Sequence, residues 1–308
     1  MTVSPEHWLT YEEVHGRNHT VTGTVVVWPK LDTDLPGGPR EILAYLPPSL
    51  AKAFDSKTPV VAATDKRYPV IYFHDGQNMF DEKTSYVGKW CADETLEQFA
   101  TEGIEAIAIG IPNGGTARID EYAPWRTDRF PTKTGKFAGG KGDDYVEWLV
   151  SVIKPLVDRS FPTRTDREGT GTMGSSLGGL ISLHALTKHP DVFGMIGALS
   201  SSVFWNDYEI LKLLAKLDGP RARVYVDMGG REWRGGFDDS RRIRDTLVDA
   251  GWVEGTDLMY VEERHAIHRE NAWARRLPGA LRFLLRDVAP TAEIADISHS
   301  EAGTSTSA

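Results

Sequence analysis

Short runs of apolar residues recur along the chain, and segments with apolar residues at helical spacing lie between many of them. Such runs are typical of strands that are buried on both faces of a sheet. The strand candidates are residues 20–28, 41–46, 70–73, 106–109, 169–173, 195–198, 224–226 and 258–261. Helical spacing occurs over residues 143–157, 177–188, 239–250 and 273–285.

Strands that alternate with helices predict an α/β fold with a mostly parallel central sheet of about eight strands and helices on both faces. The first two strand candidates have only a short link, so we expect an antiparallel pair at the N-terminal edge. We expect one domain over residues 1–289. Residues 290–308 are mostly small or polar, which predicts a disordered tail.

Composition and charge narrow the class of protein. Of 308 residues, 40% are hydrophobic, as in ordinary globular proteins, and the net charge of −9 disfavours nucleic acid or an anionic membrane surface as the main partner. Cys91 is the single cysteine, which excludes an intrachain disulfide and favours a packed thiol. We see no signal peptide and no apolar stretch of the roughly 18 residues that a membrane helix needs, so we expect a cytoplasmic protein.

A candidate nucleophile stands out in the middle of the chain. Residues 174–178, Gly-Ser-Ser-Leu-Gly, fit the pattern G-x-S-x-G centred on Ser176, between a strand candidate and a helix candidate. The small residues allow a sharp turn that presents the serine, and the helix that follows directs its N–H groups at a developing oxyanion. Ser175 lacks glycines at these offsets, and the serines at 200–202 have no such turn.

Two histidines, His265 and His268, follow the last strand candidate and compete as general base. His268 is favoured because it lies just before the final helix, from where a loop side chain can reach back over the sheet edge. A metal site at these two histidines is disfavoured, because no third ligand with suitable spacing is nearby. We therefore expect neither a metal nor another cofactor.

Where the catalytic residues occur along the chain in the order serine, acid, histidine, the acid should follow a strand later than the one before the serine. Glu232 comes after the candidate strand 224–226 and a pair of glycines, and it is our first choice. Asp238 and Asp239 are alternatives, although capping of the following helix explains them better. The strand that begins with this run is expected to end near residue 228, so Asp227 lies inside it, where its side chain is less free to reach a histidine.

Further predictions concern the oxyanion hole and the walls of the site. Residues 74–78 follow the third strand candidate, and the backbone N–H groups of Gln77 and Leu177 are the candidate oxyanion donors. The long, glycine-rich segment 113–142 is predicted to cover the active site. The short stretch between Ser176 and Glu232 leaves no room for a large cap domain. The candidate substrate-binding walls are Trp125, Trp205 and Trp233.

The chain resembles the putative-esterase family of α/β hydrolases, which includes siderophore, feruloyl and acetyl-xylan esterases, S-formylglutathione hydrolases and mycolyltransferases. The resemblance covers about residues 40–286 and rests on residues 74–81, 110–114, 121–125, 174–179 and 268–278. It implies an α/β-hydrolase fold.

Two features of the resemblance bear on the base and the acid. It supports His268, which keeps the family's distance from Trp273, although the family's usual His-Asn-Glu reads His-Arg-Glu here. Residues 229–232 match a Gly-x-x-acid segment, with glutamate where several relatives have aspartate.

Together these features predict a serine carboxylesterase that hydrolyses a small-molecule ester through an acyl-enzyme intermediate. Ser176 is the expected nucleophile, His268 the general base and Glu232 the acid that orients it. Two alternatives use the same residues: an acyltransferase, and a non-catalytic binding protein on a hydrolase scaffold.

Overall fold

The computed structural model describes residues 7–54, 66–129 and 137–286. Within these ranges nine strands form one sheet in the order β1-β2-β3-β5-β4-β6-β7-β8-β9. The strands are β1 (Leu9–Thr10), β2 (Thr24–Leu31), β3 (Arg40–Leu46), β4 (Val70–His74), β5 (Ile107–Ile111), β6 (Thr170–Ser175), β7 (Met195–Leu199), β8 (Arg223–Gly229) and β9 (Leu258–Glu263).

The strand directions confirm the predicted sheet. β1, β2, β3 and β5 pair antiparallel in succession, whereas all pairs from β5 through β4 to β9 are parallel. The described sheet has one strand more than the eight that were expected, and the additional strand is β1. It is two residues long, which is too short to give an apolar pattern. The predicted tail, residues 290–308, lies outside the described residues.

Ten α-helices occur in the described ranges, and one of them departs from the prediction. Residues 143–157 were expected as one helix, but a π-helical turn, Leu149–Ile153, separates two shorter helices. Pro155 follows this turn, and a proline has no N–H for a regular helical hydrogen bond. The helices are α1 (Tyr11–His15), α2 (Pro48–Ala51), α3 (Ala92–Thr101), α4 (Arg118–Tyr122), α5 (Gly142–Trp148), α6 (Lys154–Ser160), α7 (Leu177–Lys188), α8 (Glu209–Leu214), α9 (Gly236–Asp249) and α10 (Glu270–Leu285).

Helices cover both faces of the sheet and create two apolar cores. Alternation along β4 sends Tyr72 to one core, with Leu180 of α7, and Phe73 to the other, with Leu281 of α10. All four side chains are at most 1% exposed, so the central strands are buried on both faces. This two-sided packing explains why their sequences are continuous apolar runs.

The carboxyl ends of the parallel strands lie at the same edge of the sheet, where ligands bind in open α/β folds. The segments that follow β4, β6, β8 and β9 therefore meet there. Residues 176–232 are described throughout and contain no large cap domain, as predicted, since the connection from β7 to β8 holds only the short helix α8.

Candidate active site

Ser176 lies at the turn between β6 and α7. Its backbone has φ 59° and ψ −120°, a conformation that costs an L-residue of the order of 1–3 kcal/mol. A Cβ on Gly174 would lie 3.0 Å from the backbone of Gly178. A Cβ on Gly178 would lie 3.3 Å from the Cβ atom of His74. The two glycines therefore permit the close approach of strand and helix that puts a serine at this turn.

His268 and Glu232 are in direct contact. Nδ1 of His268 lies 2.7 Å from Oε2 of Glu232. The Glu232 side chain is fully buried, whereas that of His268 is 32% exposed. The other carboxylate oxygen, Oε1, accepts hydrogen bonds from Ser200 Oγ at 2.6 Å and from the backbone N–H of Gly229 at 2.8 Å. Both carboxylate oxygens are thus bonded, which holds the imidazole in one orientation.

Arg276 of α10 extends this contact into a buried network. Its Nη2 lies 2.8 Å from Ser200 Oγ and 3.4 Å from Glu232 Oε1. Its Nε forms an ion pair with Asp227 Oδ2 at 2.9 Å. Trp273 Nε1 also donates to Ser200 Oγ, at 2.9 Å. One arginine therefore joins two buried carboxylates.

The network determines the ionisation of these carboxylates. Burial raises the pKa of Glu232, but hydrogen bonds from His268 and Ser200 and the charge of Arg276 outweigh it, so the net pKa lies below the ordinary value. Burial raises the pKa of Asp227 to about 6, against the opposing charge of Arg276. Glu232 is therefore ionised at neutral pH, as an acid that faces an imidazole must be.

The alternative acids and base have other surroundings. Asp227 accepts the backbone N–H of Ser200 at 3.0 Å and pairs with Arg276. Asp239 accepts side-chain hydrogen bonds from Tyr208 and Trp233, neither of which lines the cavity, and Asp238 pairs with an arginine on the surface. His265 is exposed. The contact between a candidate acid and a candidate base is thus made by Glu232 and His268, the residues that the sequence favoured.

A cavity of about 850 Å³ is lined by both Ser176 and His268. Ser176 Oγ shares a hydrogen bond of 3.2 Å with Ser202 Oγ, and none joins the described side chains of Ser176 and His268. Hydrogen bonds between catalytic groups often shorten only when substrate binds. The rest of the lining comprises Asp75, Gln77, Asn78, Thr84, Tyr86, Val87, Pro112, Asn113, Gly115, Arg118, Ser175, Arg269, Glu270 and Trp273.

Both predicted oxyanion donors lie in the first turn of a helical segment. Gln77 is the second residue of a 3₁₀ turn, Gly76–Asn78, and Leu177 is the first residue of α7. The N–H groups of a first turn have no acceptor within the helix, so they are available to a ligand. Gln77 lines the cavity, and Leu177 follows directly on Ser176.

An ion pair in the cavity wall was not foreseen from the sequence. Asp75 accepts hydrogen bonds from Arg118 Nε at 2.7 Å, Arg118 Nη2 at 2.8 Å and Asn113 Nδ2 at 2.6 Å. Burial raises the pKa of Asp75, but the charge and hydrogen bonds of Arg118 outweigh it and lower the net pKa. Asn113 and Arg118 belong to the segment predicted to cover the site. The first part of that segment does line the cavity, whereas residues 130–136 lie outside the described ranges.

The three tryptophans expected as walls do not line this cavity. Trp205 is 4% exposed, and its Nε1 donates to the carbonyl oxygen of Trp125 at 2.8 Å. Trp233 packs edge-on against His268, with ring centroids 5.3 Å apart. The ring of Trp125 packs edge-on against His184, with ring centroids 5.5 Å apart, so all three rings contact protein neighbours. The aromatic side chains that line the cavity are those of Tyr86 and Trp273.

Close to the turn that holds Ser176, His74 is completely enclosed. Its Nδ1 lies 2.9 Å from the hydroxyl of Tyr145, and its Nε2 lies 3.0 Å from Thr172 Oγ1. Burial lowers the pKa of His74 from 6.5 to about 3. The folded protein therefore keeps this imidazole neutral at pH values where the unfolded chain binds a proton.

This difference predicts a loss of stability in acid. Since the pKa of His74 is lower in the folded state, its contribution to stability falls as the pH drops below about 6.5, by roughly 3 kcal/mol at pH 4.5. A His74→Gln variant should be less stable at pH 7 but should lose less stability between pH 7 and 4.5 than the wild type. Urea unfolding at both pH values measures this, and equal losses in the two proteins would contradict it.

The fold is similar to those of solved hydrolase structures. The IroE-like serine hydrolase from Shewanella oneidensis superimposes with a TM-score of 0.64 at 21% identity, over 84% of this chain and 80% of that one. The siderophore hydrolase EstA from Aspergillus nidulans gives a TM-score of 0.57 at 20% identity, over 83% and 94%. The fold is therefore that of an α/β hydrolase, as predicted.

The chain belongs to the putative esterase family, whose model matches residues 36–284, and it is a carboxylic ester hydrolase. An uncharacterised Bacillus subtilis protein, YbbA, is 26% identical over 255 residues, which is 80% of this chain and 93% of that protein. The siderophore triacetylfusarinine C esterase of Aspergillus fumigatus is 30% identical over 148 residues, 46% of this chain and 47% of the relative. The alignment thus spans about half of the length of that esterase.

Features of two other kinds are absent from residues 7–54, 66–129 and 137–286. No helix among them is both long enough and apolar enough to cross a membrane. No group of three or more His, Cys, Asp or Glu side chains in the same ranges is arranged to hold a metal ion.

Proposed function

We propose that the chain is a serine carboxylesterase that cleaves small-molecule esters through an acyl-enzyme intermediate on Ser176. One observation carries the proposal: Ser176, at a strained turn, and His268, which is hydrogen-bonded to Glu232 behind it, line the same cavity. A nucleophile, a base and a group that orients the base are the parts that acyl transfer needs.

In the first half of the reaction, Ser176 Oγ attacks the ester carbonyl and transfers its proton to His268. Nδ1 of His268 faces Glu232, so Nε2 is the nitrogen that takes the proton. The carbonyl oxygen becomes an oxyanion and accepts hydrogen bonds from the N–H groups of Gln77 and Leu177. The imidazolium then protonates the alcohol oxygen as the ester bond breaks, which leaves an acyl group on Ser176.

In the second half, water attacks the acyl-enzyme while His268 Nε2 removes a proton from the water. The oxyanion forms again, Ser176 Oγ leaves and recovers its proton from the imidazolium, and the carboxylic acid is released. The imidazolium exists only during these steps, so the buried negative charge of Glu232 stabilises it when it is needed. Arg276 and Ser200 keep that carboxylate in place.

Some relatives are named for the ester on which they act. Two of these names refer to siderophores, namely the triacetylfusarinine C esterase of Aspergillus fumigatus and the ferri-bacillibactin esterase of Bacillus subtilis. A cavity of about 850 Å³ is large enough for a substrate of small-molecule size. We therefore propose a small-molecule ester as the substrate class.

A fluorophosphonate probe tests the proposed nucleophile. Such a probe phosphonylates a serine that is activated by a histidine, so we expect one adduct per chain, on the peptide that contains Ser176. Intact-mass and peptide mass spectrometry locate the adduct, and protein unfolded beforehand serves as the unlabelled control. An adduct on Ser175 or Ser202, or ester hydrolysis by a chain that is never labelled, would contradict the proposal.

A further inference from the structure

Glu270 is a buried carboxylate in the cavity without a bonded partner. It is the first residue of α10, lies two residues after His268, and is 7% exposed. No donor in the described parts of the chain lies within hydrogen-bond or ion-pair distance of its carboxylate. Its oxygens are not among the completely enclosed side-chain atoms without a partner, so they face the space of the cavity that the residue lines. The group therefore has an unused capacity to accept hydrogen bonds.

The charged neighbours of Glu270 do not satisfy it. Arg118 lines the same cavity, but two of its nitrogens are bonded to Asp75, so its attraction to Glu270 acts only through space. Arg269 also lines the cavity, and its side chain is exposed. The position of Glu270 in the first turn of a helix offers favourable but partial compensation. Glu270 therefore adds a negative charge to the wall beside His268.

Apolar surface lies on the same cavity. Tyr86 is 85% exposed and Val87 is 51% exposed, and both line it. A ligand that enters thus meets an exposed aromatic ring and, near His268, a carboxylate that lacks donors. This combination suits a molecule with an apolar part and a hydrogen-bond donor.

We propose that Glu270 is a specificity-determining residue that accepts a hydrogen bond from a hydroxyl, amide N–H or ammonium group of the ester substrate. The same charge disfavours esters that carry a carboxylate, sulfonate or phosphate. Tyr86 and Val87 contact the apolar part of the substrate. The inference rests on the proposed esterase function, because it assigns the recognition of the ester in the same cavity.

Two matched series of esters test the inference. The first varies the alcohol, as the 2-hydroxyethyl, 2-methoxyethyl and 2-carboxyethyl esters of benzoic acid. The second varies the acid, as the ethyl esters of 3-hydroxy-, 3-methoxy- and 3-carboxybenzoic acid. In at least one series the wild type should prefer the hydroxyl over the methoxy ester by roughly tenfold in kcat/KM and should be slowest on the carboxylate ester.

Substitutions at Glu270 then separate recognition from structure. Glu270→Ala should bring the hydroxyl-to-methoxy ratio close to one. Glu270→Gln retains an acceptor oxygen but no charge, so it should keep part of that preference and raise the relative rate on the carboxylate ester. Glu209→Gln is the matched control, since Glu209 also begins a helix, α8, but does not line the cavity. Its ratios should equal those of the wild type.

The outcomes distinguish this inference from the proposed function. A purely structural role of Glu270 would lower Tm and slow all six esters equally, and unchanged ratios of this kind would overturn the inference. A wild type without a hydroxyl preference in either series would also overturn it. Hydrolysis of 4-nitrophenyl acetate, which carries no donor, is measured in parallel. If that ester is cleaved but the ratios of kcat/KM do not depend on Glu270, the esterase function is supported and the proposed role of Glu270 is wrong.

Discussion

A Ser176→Ala variant is expected to lose about 10⁴- to 10⁶-fold in kcat for 4-nitrophenyl acetate while it remains folded. The reason is that the proposed acyl-enzyme cannot form without Oγ, whereas the proposed oxyanion donors and the cavity persist. Initial rates at saturating substrate measure the loss, and thermal unfolding confirms that the fold is retained. Alanine keeps a Cβ at φ 59°, so the variant does not change the strain of the turn.

Ser151→Ala is the control for this experiment. Ser151 is an exposed serine that does not line the cavity, and its Oγ donates to the carbonyl oxygen of Glu147 in the same helical segment. Its kcat should equal that of the wild type. If Ser176→Ala retained full activity and Ser175→Ala or Ser202→Ala abolished it, the nucleophile would be one of those serines instead.

A Glu232→Gln variant should show the second largest loss, about 10³- to 10⁴-fold in kcat. Every contact of this carboxylate comes from a donor, namely His268 Nδ1, Ser200 Oγ, the N–H of Gly229 and Arg276. Glutamine keeps one accepting oxygen, and three of the four donors face the position of Oε1, so we expect the amide oxygen to stay there. The NH₂ group would then face His268 Nδ1, and the imidazole would lose the acceptor that fixes its tautomer. The loss should appear in kcat more than in KM, because Glu232 does not line the cavity.

Asp238→Asn provides the comparison for the acid. Asp238 is exposed in the first turn of α9 and makes a surface ion pair, so its removal should change kcat by less than about twofold. Asp239→Asn extends the test to the other sequence alternative. Retention of kcat within tenfold in Glu232→Gln, together with its loss in Asp239→Asn, would transfer the role of acid to α9.

The elements of this fold could be predicted because their causes are local. Strands buried on both faces need continuous apolar runs, and the turn at Ser176 needs small residues at fixed offsets. Both requirements produce a recognisable sequence pattern within a few consecutive residues. The contact of His268 with Glu232 joins residues 36 apart, so their order suggested the pair but only the assembled sheet shows it.

The surroundings of the site could not be predicted, because they depend on packing between distant segments. Asp75 and Arg118 are 43 residues apart, and nothing in either segment indicates their pairing. The tryptophans show the same limit. An indole such as Trp205 suits a cavity wall and a protein core equally well, and the contact with Trp125 decided for the core. The role of Arg276 in the buried network could not be predicted either, since the sequence offered only its position three residues after Trp273.

The backbone of Ser176 has a consequence for how this sequence was selected. With φ at 59° and ψ at −120°, the position favours glycine on conformational grounds, and selection for stability alone would place glycine there. Under the proposed mechanism, serine occupies this position because its hydroxyl is the nucleophile, at the cost of some stability. The turn is then a locally frustrated point, since the residue that the proposed reaction needs is not the one that the backbone conformation favours.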